Sequence, residues 1–271
     1  MKKILVGVDL KATYVWLVVR AGDLARNIDA RVDLLYVSHQ ESGKQQAERR
    51  RALEDLLARL GEEQRGEVMV MEGQPQDVLA GESDKYDILV VGPREPTGWR
   101  KLLEDAMAVQ VIGRARCQVF IPRTEEPKTS FRRILLGLNL YRQETEAYVR
   151  AGASLAVAMN ATLDIAFCER NPAHYVFEEA ALQTIEEVRY AQHEQDEQKL
   201  RQLLDDIVPG PARGKAFLYE DAPGNGLVEL SRDYDLVIVG TADVAKAGIL
   251  LGSVAIHIVR RAHCDVLTLP Q

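Results

Sequence analysis

The chain has 271 residues, of which 46% are hydrophobic and 28% charged, a composition typical of a globular protein long enough for two domains. Its formal charge of −7 disfavours nucleic acid as a partner, because phosphate binding needs clustered Lys and Arg. No apolar run approaches the roughly 20 residues that span a bilayer, and the apolar stretch after Met1 is too short for a signal peptide. We therefore expect no membrane association and a cytoplasmic location.

The predicted elements begin with an apolar strand that reads KKILVGVDL at 2–10. Helical patterns and apolar segments then alternate, and the later strands are VDLLYV at 32–37, KYDILVVG at 85–92 and CQVFIP at 117–122. Continuous apolar runs are typical of strands covered on both faces. Their alternation with helices predicts a doubly wound parallel sheet, with any ligand beyond the carboxyl ends of the strands.

The second part of the chain repeats this series of strands in the same order. The matching segments are RRILLGLNL at 132–140, LDIAFC at 163–168, DYDLVIVG at 233–240 and CDVLTLP at 264–270. Between the two series, PRTEEPKTSF has the composition of a linker. The repeat predicts two homologous domains, residues 1–123 and 131–271, each with its own parallel sheet.

One segment of the second domain is longer than its counterpart. The spacing of matched positions grows from 131 residues, between Val32 and Leu163, to 148 residues, between Gly92 and Gly240, which is an insertion of 17 residues. Apolar residues in this stretch recur at intervals of three and four, as in a helix. We expect the insertion to lengthen a helix, whose charged face is either solvated or a surface for a partner.

The cysteines and histidines form no catalytic or metal-binding pattern. Cys117, Cys168 and Cys264 lie far apart in apolar segments, which predicts buried, reduced thiols. The five histidines accompany no recognisable nucleophile motif, and the sequence has no Walker lysine motif. We therefore expect no enzymatic activity.

The first strand of each domain ends in a polar residue, Asp9 in the first and Asn139 in the second. Either side chain can accept a hydrogen bond from a ligand, and either can instead cap the turn that follows. Both interpretations remain open at this point.

After its fourth strand, the second domain offers Gly240 and Thr241, and then Gly252 and Ser253 directly before an apolar helical pattern. Glycines followed by a helix N-terminus are typical of phosphate-binding sites. Ser253 is also a common residue type for an N-cap that binds no ligand. The first domain has Glu104-Asp105-Ala106 at the matching place, where two carboxylates would repel phosphate. The sequence therefore favours an anion site in the second domain only.

On these segments the repeat unit resembles the universal stress protein (UspA-like) family, and the whole chain resembles a tandem two-domain member. The strongest resemblance lies in YDLVIVG and the later LLGSVAIHIVRRAHCDVLTLP, supported by YDILVVG and ARCQVFIP. It implies that each domain is a five-stranded, doubly wound parallel α/β unit of the adenine nucleotide α-hydrolase-like fold. Because such domains commonly dimerise through the last strand, it also implies that the two halves pair as an intramolecular pseudo-dimer.

The resemblance further implies site residues. The ATP-binding branch of the family carries an Asp after the first strand, a backbone contact at the end of the second strand and the loop G-x2-G-x9-G-[ST]. The matching residues of the second domain are Asn139, Cys168, Gly240, Thr241, Gly252, Ser253 and Val254. Two departures stand out, because Asp243 replaces the middle glycine and the interval from Gly240 to Gly252 is 12 residues where the motif has 13.

The first domain keeps Asp9 and Gly92 of this pattern, with Val37 at the second strand. Glu95 and Asp105 replace its later glycines, so we expect this domain to bind no nucleotide.

Two functional hypotheses follow from the sequence. In the first, the protein is a regulator of the cytoplasmic stress response whose second domain binds ATP, with or without Mg²⁺, or another adenine nucleotide. In the alternative, it acts without nucleotide through protein partners whose identity the sequence does not give, either as the pseudo-dimer or as a further homodimer. Asn139, Asp243 and the shortened loop motivate the alternative.

Overall fold

Strands and helices alternate throughout this computed structural model, which describes residues 1–10, 15–92, 106–123, 130–169, 179–241 and 253–270. The strands of the first half are β1 (Lys2–Gly7), β2 (Ala30–Ser38), β3 (Arg65–Glu72), β4 (Ile88–Val90) and β5 (Gln118–Ile121). Those of the second half are β6 (Arg133–Leu138), β7 (Thr162–Glu169), β8 (Arg213–Glu220), β9 (Leu236–Gly240) and β10 (Asp265–Leu269). The α-helices are α1 (Val15–Ile28), α2 (Gly43–Leu57), α3 (Pro75–Glu82), α4 (Ala106–Arg114), α5 (Thr145–Met159), α6 (Glu179–Ile207), α7 (Pro223–Leu230) and α8 (Ser253–Arg261).

The strands form a single sheet of ten in the order β3-β2-β1-β4-β5-β10-β9-β6-β7-β8. All strand pairs within each half are parallel. The two halves meet where β5 and β10 pair antiparallel, with Phe120 opposite Leu267. The predicted pair of five-stranded, doubly wound units is therefore confirmed, and so is their association through the last strand of each half as an intramolecular pseudo-dimer.

Helices cover both faces of the sheet, as the continuous apolar runs predict. Along β1, Ile4 and Val6 belong to one hydrophobic cluster and Leu5 to another, because successive side chains of a strand point to opposite faces. Buried residues of α1, α2, α5 and α6 belong to the first cluster, and those of α3, α4, α7 and α8 to the second. Each crossover helix thus packs on the face that its strand order requires.

The insertion in the second half lengthens a helix, as predicted. Helix α6 has 29 residues, whereas its counterpart α2 has 15. Leu200 and Leu204 of α6 are buried in the first cluster, as Leu53 and Leu57 of α2 are. The C-terminal turns of the two helices therefore pack alike, and the extra length of α6 lies on its N-terminal side.

The repeat extends to the hydrogen bonds of one aspartate in each half, half-buried at Asp33 and buried at Asp164. Asp33 in β2 accepts hydrogen bonds from the backbone N–H of Glu67 at 2.7 Å and from the hydroxyl of Tyr86 at 3.0 Å. Asp164 in β7 accepts the corresponding bonds from Lys215 at 2.7 Å and from Tyr234 at 2.6 Å. The pairing with the neighbouring strand shifts register at each of these aspartates. The carboxylate therefore accepts the hydrogen bond of a backbone N–H group that the regular strand pairing leaves without a partner.

A buried ion cluster lies where the two halves meet. Arg20 of α1 donates a hydrogen bond to the carboxylate of Asp265, the first residue of β10, and its other terminal nitrogen lies 3.3 Å from Asp23. Arg20 and Asp265 are 0% and 1% exposed. Asp265 also accepts a 2.8 Å bond from the backbone N–H of Arg123, and the Arg20 guanidinium lies 5.7 Å from the ring centroid of Phe131. This cluster joins α1 of one half to β10 of the other.

Candidate functional site

The candidate site of the second half lies at the carboxyl ends of β6, β7 and β9. Strand β6 lies between β9 and β7. From β6 the strand order runs outward to β7 and β8 on one side and to β9 and β10 on the other. The ends of adjacent parallel strands then leave a crevice at this switch point. The topology brings Asn139, Cys168, Gly240 and Thr241 to the same edge of the sheet, because each stands at the end of one of these strands.

Asn139 closes the turn between β6 and α5. Its side-chain oxygen accepts a hydrogen bond from the backbone N–H of Tyr141 at 3.1 Å. Its backbone carbonyl accepts bonds from the N–H of Arg142 at 3.2 Å and from the hydroxyl of Thr145 at 2.8 Å. Asn139 therefore has the capping role that was one of the two interpretations from sequence, while its amide N–H₂ group is a separate donor.

Helix α6 holds this turn from the side. The hydroxyl of Tyr141 donates a 2.5 Å hydrogen bond to Asp196, and the amide of Gln192 donates a 3.1 Å bond to the same hydroxyl. The ring of Tyr141 lies edge-on against Phe167, with 5.7 Å between centroids. Sequence reasoning missed Tyr141, and its only signal was its position in the turn before the helix.

Cys168 lies in β7, one residue beyond the last residue of β7 that pairs with β6. The pairing of β6 with β7 ends at Leu138 and Phe167, whereas the pairing of β7 with β8 continues to Glu169. Its side chain is buried in the second cluster, and burial raises the pKa of the thiol to about 12. At neutral pH the sulfur is therefore a protonated thiol, and the backbone is the part of Cys168 suited to contact a ligand.

All three cysteines are buried and free, as predicted. Burial also raises the pKa of Cys117 to about 12. Across the described ranges, no group of three or more His, Cys, Asp or Glu side chains could hold a metal ion. The same ranges contain no helix that could cross a membrane.

Gly240 and Thr241 end β9 and have clear packing roles. A Cβ atom on Gly240 would overlap the ring of Tyr148 in α5, so the close approach of this ring requires glycine. The N–H and the hydroxyl of Thr241 both donate to the carbonyl of Leu269, at 2.9 and 3.0 Å. Thr241 thus joins the ends of β9 and β10.

The last candidates lie at the start of α8. The described part of this helix begins at Ser253, one residue before the start that the sequence predicted. Val254 is half-buried against the second cluster. Gly252 and Asp243 lie outside the described residues, as do Glu95, Glu104 and Asp105 of the first half. Because α8 connects the parallel strands β9 and β10, its N-terminus lies at the same edge as the end of β9.

In the first half, the carboxyl ends of β1 and β4 form the corresponding edge of the sheet, but the residues there differ from those of the second half. Strand β1 ends before Val8 and Asp9, and Leu10 then adopts a left-handed conformation with φ of 57°. Gly92 follows β4 and packs closely against Leu17, as Gly240 packs against Tyr148.

Comparisons with known proteins agree with this architecture. The sequence matches the model of the Universal stress protein family twice, over residues 1–123 and 130–270. No curated protein matches it. A functionally unknown protein from Pseudomonas aeruginosa PAO1 is similar in structure, with a TM-score of 0.73 and 17% identity over 100% of this chain and 92% of that one. A universal stress protein from Archaeoglobus fulgidus DSM 4304 has a TM-score of 0.69 and 15% identity over 100% of this chain and 96% of that one.

Proposed function

Because the chain belongs to the universal stress protein family, we propose that it is a regulatory protein of the cytoplasmic stress response whose second half binds an adenine nucleotide. The observation that supports this is the meeting of the ends of β6, β7 and β9 with the start of α8 at one switch point. The ligand is ATP, with or without Mg²⁺, or a smaller adenine nucleotide. It acts as a regulatory signal and is not hydrolysed.

The adenosine part of the ligand would lie against the ends of β6 and β7. The amide N–H₂ of Asn139 can donate to a ring nitrogen or a ribose oxygen while the side-chain oxygen closes the turn. The backbone of Cys168, one residue beyond the β6 pairing, can bond to the edge of a purine. These contacts need no ionisable side chain, so we expect nucleoside recognition to vary little between pH 6 and 8.

The phosphates would lie between Gly240 and the start of α8. A helix N-terminus carries unpaired N–H groups and the positive end of the helix dipole, both of which favour an anion. Ser253 and Val254 supply the first N–H groups of α8. In the first half, Glu104 and Asp105 precede the start of α4 at Ala106, and their charges oppose phosphate.

Regulation without hydrolysis fits the side chains at this site. Phosphoryl transfer needs a positioned water and charge stabilisation at the transferring group. Asn139 has no basic group, the Cys168 thiol stays protonated because burial raises its pKa to about 12, and Thr241 donates its hydroxyl to Leu269. None of these three can act as a general base at neutral pH.

Calorimetric titration of the full chain with Mg-ATP, ADP and AMP tests the proposal. We expect saturable heat with at least one nucleotide and loss of that binding in Gly252→Glu, because the new carboxylate lies where phosphate would bind. Asp105→Ala, at the matching place in the first half, is the control and should bind as the unchanged protein does. Absence of heat at millimolar nucleotide, or full binding by Gly252→Glu, would contradict the proposal.

A second candidate function needs no nucleotide, and the hydrogen bonds at the site favour it. Asn139 already uses its side-chain oxygen on Tyr141, and Thr241 uses both of its donors on Leu269. In this case the protein acts through protein partners, and a further homodimer would use surfaces other than β5 and β10, which pair with each other. Mass spectrometry of small molecules released by denaturing the purified protein separates the two functions, since a stoichiometric nucleotide would exclude this one.

A further inference from the structure

A groove with a volume of about 460 Å³ lies between the start of α5 and the middle of α6. Its lining includes Arg142 of the β6–α5 turn, Glu146 and Arg150 of α5, and Lys199 and Leu203 of α6, and we call it the cationic groove. Sites for small molecules commonly measure about 300–1,000 Å³. None of the described candidate residues for the nucleotide belongs to this lining, although Thr145 of the lining donates a hydrogen bond to the carbonyl of Asn139.

The described lining of the cationic groove has an excess of positive charge. It contains Arg142, Arg150 and Lys199 but only one carboxylate, that of Glu146. Glu146 lies 3.7 Å from Arg150, and because these side chains are 68% and 66% exposed, solvent screens the pair. The chain as a whole carries a formal charge of −7, so the groove has a local positive charge on a molecule that is negative overall.

The lysine of the groove is held in position. Its Nζ donates a 2.8 Å hydrogen bond to the carbonyl of Leu140 and lies 5.9 Å from the ring centroid of Tyr141. Tyr141 is in turn bonded to Asp196 of the same helix as the lysine. An ammonium group has three donors, so two remain for a ligand beside the bond to Leu140. A cation that is already fixed loses less side-chain entropy when an anion binds.

The remaining lining suits a small anion with a carbon skeleton. Leu140, Ala147 and Leu203 supply apolar surface beside the cations. No side chain caps the N-terminus of α5, which opens at the same groove, so the positive end of the helix dipole adds to the positive potential.

We propose that the cationic groove binds a small polyanion, a molecule with a phosphate group or at least two carboxylates, held by Arg142, Arg150 and Lys199. This is a second binding site of the chain, and it does not depend on the nucleotide site. The lengthened helix α6 supplies Lys199 and braces the turn that carries Arg142. Ala52 matches Lys199 in the first half, because each directly precedes the matched leucines, Leu53 in α2 and Leu200 in α6, so the first half has no counterpart of this cation.

Titration of the full chain with inorganic pyrophosphate and, separately, with citrate tests this proposal at low ionic strength. We expect saturable binding of at least one anion, weakening as salt is raised, and the tighter of the two identifies phosphate or carboxylate as the preferred group. Arg150→Gln should weaken this binding about two- to fivefold, and Glu146→Gln should strengthen it by a similar factor, since each changes one exposed charge. Two substitutions with opposite expected effects on one ion pair are not explained by misfolding.

Arg201→Gln is the matched control. Arg201 lies on α6 and pairs with Glu197 at 2.5 Å, its side chain is 64% exposed, and it does not belong to the lining. Pyrophosphate binding should be unchanged in this variant, and Gly252→Glu, which opposes phosphate only at the start of α8, should still bind pyrophosphate in the groove. Absence of heat from both anions at millimolar concentration, equal weakening by Arg201→Gln, or loss of binding in Gly252→Glu would overturn the proposal. The last result would place the anion at the strand ends and not in the groove.

Discussion

Asp33 in the first half and Asp164 in the second make the same pair of hydrogen bonds, to a backbone N–H and to a tyrosine hydroxyl. The strand ends above them differ, with Asp9 in one half where the other has Asn139. Loss of the donors to Asp164, which is buried, or to Asp33, which is half-buried, would destabilise the fold, whereas a residue at a strand end is restrained only by its turn. The two halves therefore share their scaffold, and their sequences differ at the strand ends where a ligand would bind.

One buried feature departs from this symmetry. Arg20 and Arg150 occupy matching places in the repeated sequence VRAG. The side chain of Arg20 is fully buried against Asp265 and Asp23, but that of Arg150 is 66% exposed and lies 3.7 Å from Glu146. The same residue type therefore joins the two halves in one domain and lines the cationic groove in the other.

The largest expected effect comes from replacing these two arginines by methionine. Arg20→Met leaves the buried carboxylates of Asp23 and Asp265 without this cation, so we expect the free energy of unfolding to fall by about 3–5 kcal/mol. Arg150→Met removes an exposed pair and should cost about 0–1 kcal/mol. Urea denaturation at pH 7 measures both values.

Equal effects of the two substitutions would contradict the difference in burial between Arg20 and Arg150. They would mean that solvent reaches Asp265 in solution and that the cluster is not a buried link between the halves. Circular dichroism of both variants in the absence of urea checks that each one folds.

A smaller difference is expected between Tyr86→Phe and Tyr234→Phe. Tyr234 is buried and bonds to Asp164 at 2.6 Å, while Tyr86 is half-buried and bonds to Asp33 at 3.0 Å. We expect a loss of about 2 kcal/mol for Tyr234→Phe and about 1 kcal/mol for Tyr86→Phe, since the buried carboxylate of Asp164 and the half-buried one of Asp33 each lose one donor. Thermal and urea denaturation of the two variants give the ranking, and a greater loss for Tyr86→Phe would contradict it.

Much of this fold could be predicted from the sequence because the same series of apolar strands and helical segments occurs twice in the chain. The strands, their parallel pairing, the lengthened helix and the helix start near Ser253 all follow from local periodicity and from matched segments. Even Asp33 and Asp164 had a signal, since VDLLYV and LDIAFC each place a carboxylate inside an apolar strand. Such a residue must find donors when both faces of the strand are covered.

The ion cluster between the two halves and the contacts around Asn139 could not be predicted from repeated segments or local periodicity. Arg20 and Asp265 are 245 residues apart, and although Asp265 lies in an apolar strand, nothing in the sequence indicates that Arg20 is its partner. The contacts of Tyr141 with Asp196 and Phe167 depend on how α6 packs beside the turn. Whether Asn139 caps its turn or faces a ligand depends on side-chain orientation, which the spacing of residues does not determine.

The smallest expected effect concerns Cys168 and its counterpart Val37, and it appears only at alkaline pH. Burial raises the pKa of the Cys168 thiol from 9.0 to about 12 in the folded protein. An unfolded chain ionises this thiol above pH 9, while the folded chain keeps it protonated. The stabilisation is therefore complete below pH 9 and is lost as the pH rises from 9 towards 12.

Cys168→Ala should reduce the loss of stability between pH 7 and pH 10 by about 1 kcal/mol, because it removes one buried thiol. Val37→Ala is the matched control, since it also removes buried atoms but has no ionisable group, and its loss over this pH interval should equal that of the unchanged protein. Cys117 and the buried tyrosines, whose pKa values burial also raises, contribute equally in all three proteins. Urea denaturation at the two pH values measures the difference, and an unchanged pH dependence in Cys168→Ala would show that solvent reaches the end of β7 in the second half.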